Sequence, residues 1–275
     1  MNLKRMGLVS LAGLGMLVVC AGGEPARRGL PFCAALAGDR ELPLPCGITL
    51  LGYAQEHGYD IRELNASSPV NPAVGALVRQ IDPAMIDVDN QVLQVGLKAD
   101  AWLLPFLNVY GLLGGIDGRT DVDFAALPPA AAPVLGALDQ GLDVDYAGLL
   151  YGVGGTLTWG AGPVFAAVNG ILTWTELDEE EASVQAYILR PIIGFRADGF
   201  AAWTGLMYQK AQEEHKGRIQ IPGFGPVDYD LEFEEKEPWN LLLGARYEFS
   251  ARWNLNAEIG LGERMQAEAG LNYRF

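Results

Sequence analysis

The feature that most restricts this chain is an alternation of apolar and polar residues that recurs in segment after segment and runs to the last residue. In QAEAGLNYRF, residues 266–275, every second position counted back from the end is apolar: Phe275, Tyr273, Leu271, Ala269 and Ala267. Arg274, Asn272, Gly270, Glu268 and Gln266 fall between them. Successive side chains of a strand point to opposite faces, so the segment has one apolar face and one polar face. The same period marks ten segments, at about 48–60, 89–104, 106–117, 143–159, 162–177, 183–197, 199–215, 228–249, 253–262 and 266–275. Each is near or above the roughly 9 to 11 residues that a tilted membrane-spanning strand needs. A half-buried strand of a soluble protein reads the same way, so a second feature must decide the solvent.

That feature is the other end. MNLKRMGLVSLAGLGMLVVCAGG sets Lys4 and Arg5 before an apolar run from Met6 to Val19 with small residues beyond it, the order of a secretory signal peptide. Cleavage after Ala21 gives a signal peptide over 1–21, a periplasmic leader over 22–47 and a barrel over 48–275. A lipoprotein, with Leu17, Val18 and Val19 leading to a lipidated Cys20, is the rival, disfavoured by Val19 where a smaller residue is expected. Lys4 and Arg5 would leave with the peptide and no acidic residue would, so the net charge moves from −15 to −17. Phosphate backbones demand the opposite sign, which excludes nucleic acid as a partner. Half of the residues are hydrophobic, yet no run past the signal reaches the roughly 18 consecutive apolar residues of a spanning helix. An exported chain that is apolar without a spanning helix points to a closed barrel, because lipid leaves no other way to pair every backbone group. The expected fold is all-β: an antiparallel up-and-down transmembrane barrel of about ten strands, eight or twelve remaining open.

The faces are clearest in four segments. Leu93, Val95, Leu97, Ala99, Ala101 and Leu103 oppose Gln94, Gly96, Lys98 and Asp100, and Ala147, Leu149, Tyr151, Val153, Leu157 and Trp159 oppose Gly148, Gly152, Gly154, Thr156 and Thr158. Trp239, Leu241, Leu243, Ala245, Tyr247 and Phe249 oppose Asn240, Gly244, Arg246 and Glu248; Trp253, Leu255, Ala257, Ile259 and Leu261 oppose Asn254, Asn256, Glu258 and Gly260. Small and charged residues on the polar faces suit a narrow lumen, hydrated or salt-bridged. The lumen-facing charges are Lys98, Asp100, Arg190, Arg196, Arg246, Glu248, Glu258, Glu268 and Arg274. Eight strands leave an interior filled by side chains and 16 to 18 an open channel, so ten lie near the filled end. A salt-bridged plug follows, with Arg190 or Arg246 beside a carboxylate that offsets its desolvation.

Links between segments alternate between very short (Pro105, Gly160–Ala161, Asp198, Ser250–Arg252) and generally longer, more polar ones. Short turns belong to the periplasmic side. Trp102, Trp159, Trp203, Trp253, Tyr273 and Phe275 sit near that end, as an interfacial aromatic girdle would. The signal peptide, the even-numbered alternating segments and the terminal GLNYRF resemble Gram-negative outer-membrane β-barrel proteins. That resemblance implies an outer-membrane location, contact with outer-membrane lipid and lipopolysaccharide, and Leu271, Tyr273 and Phe275 as the signal read by the barrel-assembly machinery.

Little in the sequence reads as an active site. Acidic residues cluster at the outer strand ends, with i, i+2 spacing in DVDN, DVDF, DVDY and DYDLEFEE. These are solvated strand extensions, or seats for divalent cations shared with lipopolysaccharide. Cys33 and Cys46 either form a small disulfide loop or stay unpaired, and no Cys/His spacing fits zinc. NPAVGALVRQID (71–82) has helical spacing at Val74, Leu77, Val78 and Ile81, and LPPAAAPVLGALDQGL offers Val134, Leu135 and Leu138. Such short apolar pieces would cover the mouth, pack on each other or dip toward lipid. His57 and His215 lie near outer strand ends, with Asp60, Glu213 and Glu214 as neighbours. Omptin proteases, ten-stranded barrels that use His and Asp at the rim, invite comparison, but no omptin motif is present, nor any Gly-x-Ser-x-Gly turn. The strings GVGG, GLG and GFG lack the following helix that phosphate binding needs. No catalytic residue, metal or cofactor is assigned. The expected function is structural or a narrow porin-like conduit for small or apolar solutes; the alternative is surface binding or adhesion through the acidic and apolar loops.

Overall fold

A computed structural model describes residues 29–37, 42–70, 86–123, 142–178, 183–221 and 225–275. A 3-10 turn at Ala34–Ala37 precedes eleven strands: β1 Cys46–Ser67, β2 Asp87–Leu104, β3 Leu107–Asp123, β4 Leu142–Ala161, β5 Val164–Leu177, β6 Ser183–Ala197, β7 Phe200–Ile221, β8 Gly225–Glu235, β9 Trp239–Glu248, β10 Trp253–Leu261 and β11 Met265–Arg274. β1 to β7 pair in chain order, β9 takes the place beside β7, and β10 and β11 follow. β11 then pairs with β1, Ile48 opposite Tyr273 and Leu50 opposite Leu271, and the wall closes on ten strands. No edge is left with unpaired backbone groups in the apolar zone.

One row of paired residues runs Arg196, Ala201, Arg246, Asn256, Gly270, Leu51, Gly96, Gly114, Leu150, Thr175, Val184. It returns to β6 twelve residues above its start, a stagger that tilts the strands by roughly 40°, as closed barrels require. Every member of the row faces inward. Gln94, Asp100, Asn240, Glu258, Gln266 and Asn272 are buried, while Leu93, Val95, Leu97, Leu241, Leu255 and Ile259 are exposed. This inverts a soluble barrel and gives a continuous apolar outer wall that water would not solvate.

Two aromatic rings bound that wall. At the short-turn end Trp159, Phe195, Phe200, Tyr247, Phe249 and Trp253 are exposed, with Trp253 and Tyr273 ring centroids 4.9 Å apart. A second ring, unforeseen from the sequence, comprises Tyr151 stacked on Trp174 at 5.8 Å, Tyr187, and Tyr208 against Trp239 at 5.1 Å. Trp159 and Tyr151 are eight residues apart on β4. That separation spans about 20 Å of height at ~3.3 Å per residue and this tilt, close to the apolar band of roughly 25 Å in membrane barrels. Trp203 is a correction: it shares the face of Ala201 and Met207 and points into the lumen, not toward lipid.

Aromatics and glycines pair across neighbouring strands on the inner face. Tyr110 lies opposite Gly154, Tyr146 opposite Gly118, Phe165 opposite Gly194 and Trp203 opposite Gly244. A side chain at any of these four glycines would overlap the facing ring. The Gly-rich strings are thus beds on which luminal rings lie flat.

The segment expected at 228–249 is two strands. β8 sits above the wall between the extensions of β1 and β7, pairing Tyr59–Ser67 on one side and Glu213–Ile221 on the other. The chain then jogs through Lys236, Glu237 and Pro238 before β9 joins β7, Gln209 N–H donating to the Pro238 carbonyl at 3.0 Å. Pro238 has no N–H for a ladder, which suits it to the break. Between β6 and β7, Asp198 and Gly199 both have positive φ, 47° and 77°, the two-residue hairpin geometry whose twist matches the strands. The apolar segments at 71–82 and around 134–138 lie outside the described residues.

Candidate functional site

The lumen is bridged at mid-height. Arg190 on β6 forms an ion pair with Glu258 on β10 and another at 3.3 Å with Glu268 on β11. Going around the wall, two strands separate β6 from β10 and three separate it from β11, so the guanidinium reaches across the interior. Glu258 also accepts from Trp203 Nε1 at 2.6 Å, and only 3% of its side chain is exposed. A carboxylate so enclosed is tolerable only with such partners. Register and stagger put Leu51 on β1, Leu112 on β3 and Ile171 on β5 at Arg190's level, the other way around the wall from Glu258 and Glu268, where they pack with Leu150. Asn169 Nδ2 donates to Tyr110 Oη at 2.7 Å and to Thr156 Oγ1 at 2.8 Å, fixing the ring that covers Gly154. At mid-height the ionic bridge faces this apolar patch, with Lys98, the cross-strand partner of Leu112, beside it.

Beside and below the bridge lie the remaining expected charges. Arg274 Nη2 is 3.1 Å from Asp100 Oδ2, which also accepts from Asn108 Nδ2 at 2.8 Å, and Arg274 Nε donates to the Leu44 carbonyl at 2.8 Å. That arginine therefore clasps the leader to the barrel floor. Arg246 pairs with Glu248 at 2.8 Å, Arg196 shares its row and is exposed, and Lys98 lies 5.3 Å from the Tyr110 ring centroid, a cation–π contact. At the closing strand Leu271 is exposed to the outside, and Tyr273 lies between Trp253 and Phe275.

Above the bridge the lumen is lined by amides and hydroxyls, with the fully buried Arg264, of the same parity as Gln266, beside them. Tyr53 Oη is 3.0 Å from Gln266 Oε1, Gln55 Nε2 and His57 Nδ1 are 2.8 Å apart, and Asn90 Nδ2 donates to Tyr146 Oη and Thr120 Oγ1 at 2.8 Å each. Their sequence signal is weak: Gln and Asn alternate with apolar residues at Asn90 and Gln94 without the charge that marks a lumen face. His57 is buried, its ring 4.2 Å from that of Tyr59, and faces inward; Asp60 is on the outer face, so the two cannot form a rim dyad. His215 falls opposite Leu231 in the extension above the wall.

The acidic spacings converge. Register sets Asp89 opposite Asp121, Asp121 opposite Asp143, and Asp87 opposite Asp123. Arg119 pairs with Asp121 at 2.9 Å and Lys236 with Asp87 at 2.6 Å. The hydrogen bond to Asp87, aided by the nearby aspartate charges, raises the Lys236 pKa. Among the described residues no three His, Cys, Asp or Glu side chains group closely enough to hold a metal ion. The Cys33–Cys46 loop is not formed: Cys33 is a free, exposed thiol in a turn at φ 56°, whereas Cys46 is buried at the start of β1.

No protein-family model and no curated protein matches the sequence. Among solved structures, an outer membrane channel from Pseudomonas putida F1 is similar at 14% identity and a TM-score of 0.40, over 86% of this chain and 98% of that one. The outer membrane protein OprG from Pseudomonas aeruginosa is similar at 11% identity and 0.38, over 85% and 98%. The outer membrane protease OmpT from Escherichia coli is similar at 10% and 0.41, over 85% and 97%. At these scores the likenesses carry no argument. The closed antiparallel β-barrel rests on the strand pairing itself.

Proposed function

We propose that the protein is a bacterial outer-membrane barrel, exported by its N-terminal segment, that serves as a narrow and normally occluded conduit for small solutes. The observation that carries this is the reach of Arg190 across the lumen to Glu258 and Glu268. The bridge leaves a narrow passage with an apolar flank, Leu51, Leu112 and Ile171, and an amide-lined chamber above it. The apolar flank and the amides suit small or weakly polar solutes. Catalysis is not proposed, since the inward His57 and outward Asp60 cannot act on one water. Leu271, Tyr273 and Phe275 on the closing strand are the proposed assembly signal.

Planar-bilayer recording tests the reading. Wild-type protein should give small discrete steps, and the double variant Glu258→Gln, Glu268→Gln steps several-fold larger. A wide constant conductance in the wild type, or no change in the variant, would overturn it. A second reading, surface binding, is favoured by the β1–β8–β7 sheet that stands above the rim beside the acidic rows. Absence of any step from both proteins would leave that reading in place.

A further inference from the structure

We infer that the outer wall between β4 and β7 holds a specific site for a phosphorylated glycolipid of the lipopolysaccharide type, one acyl chain seated in the wall and its phosphate on Lys210. The inference rests on the outer-membrane reading above. The wall is dented there: Gly155 and Gly170 are cross-strand partners on the lipid-facing side, and a side chain added at Gly170 would meet nothing but open space. Around Gly170 lies a shallow apolar groove of about 470 Å³ lined by Val153, Leu172, Leu189, Tyr187 and Tyr208.

The groove has a direction. Its apolar floor is at mid-wall, and its upper end reaches the second aromatic ring, flanked by the Tyr151–Trp174 pair on one side and Tyr208–Trp239 on the other. At that end Gln185 Nε2 donates to Tyr187 Oη at 2.7 Å, which leaves the phenol proton to donate outward. Lys210 is the cross-strand partner of Tyr187 and is exposed. Of the outer-wall cations near this end, Arg119 is held by Asp121 and Lys236 by Asp87, while Lys210 has no ion pair among the described side chains. A chain that is oily below and anionic at the interface matches this sequence of contacts. The long-loop end faces the outer leaflet, and the Lys210 ammonium is the group there that would pair with phosphate.

Native mass spectrometry of the detergent-solubilised full chain, titrated with diphosphorylated hexa-acyl lipid A, tests the inference. Wild type should retain one lipid A selectively over its dephosphorylated form and over phosphatidylglycerol. Gly170→Leu, which fills the groove, should weaken binding at least tenfold. Lys210→Gln, a surface change that leaves the fold intact, should weaken it about tenfold and remove the preference for phosphate. Gly52→Leu, at an equally open outward glycine on β1, should bind as wild type does. Equal binding by wild type and Gly170→Leu, equal loss in Gly52→Leu, or equal retention of phosphatidylglycerol would overturn the site while leaving a folded, detergent-dependent barrel. A chain that stays folded without detergent would instead overturn the membrane reading beneath it.

Discussion

Arg190 is where the residue-scale account is most exposed to test. Its two carboxylates were legible as lumen-facing charges, because alternation assigns a face to every position of β6, β10 and β11. Which charge meets which was not legible, since the partners are set by a twelve-residue stagger that only the closed register reveals. Replacing both Glu258 and Glu268 by Gln strands an arginine in the interior and should cost about 3–5 kcal/mol, read as a lower urea midpoint of the refolded barrel in liposomes. A double-mutant cycle between Arg190→Met and Glu258→Gln should show strong coupling. Near-additivity would mean the bridge is incidental. At Gly244 the ring of Trp203 occupies the space a side chain would need, so Gly244→Val should destabilise by a few kcal/mol through overpacking and displacement of the ring; unchanged stability would contradict the stacking. Lys236 offers a pH test outside the wall. Its pKa is raised in the fold, so its pairing with Asp87 stabilises fully below the unfolded value near 10.5 and is lost as pH climbs through the folded one. As both partners are partly exposed, the pair is worth about 0–1 kcal/mol, and Asp87→Asn should flatten the stability profile only in that alkaline range.

Element by element, the strands of the wall were readable within a few residues, since lipid outside and polar groups inside enforce a strict period of two. The exceptions have physical causes. β1 and β7 each run 22 residues, well past the expected ends near 60 and 215, because above the wall they are no longer bound by the lipid pattern. In sequence β8 and β9 read as one segment, since DYDLEFEE alternates as well as a wall strand does. Only its two partners, β1 and β7, reveal that it pairs above the short strands β9 to β11. Limited proteolysis should therefore cut at 236–238 and leave the ten-stranded wall protected; cleavage inside β9 or β10 at comparable rates would contradict this placement. The closing strand carries its own test. Removal of Phe275 should slow insertion by the assembly machinery in cells while leaving the spontaneously refolded barrel close to wild-type stability.

For the molecule as a whole, fold and inside-outside polarity were legible from the sequence, and the state of the lumen only in outline. Aromatic positions gave one girdle where the structure has two, and the inward turn of Trp203 followed from its parity with Ala201, which proximity to the short turn concealed. The chamber above Arg190 is not legible in the sequence because amides are weak signals beside charges. All of these conclusions stand on lipid being the solvent of the apolar face. Spin labels placed singly at positions 93 to 98 of β2, in a Cys33→Ser, Cys46→Ser background reconstituted in liposomes, measure this directly. Accessibility to membrane-dissolved oxygen should peak at 93, 95 and 97 and fall at 94, 96 and 98; a water-soluble nickel complex reaching 93, 95 and 97, or oxygen accessibility without a period of two, would contradict the account.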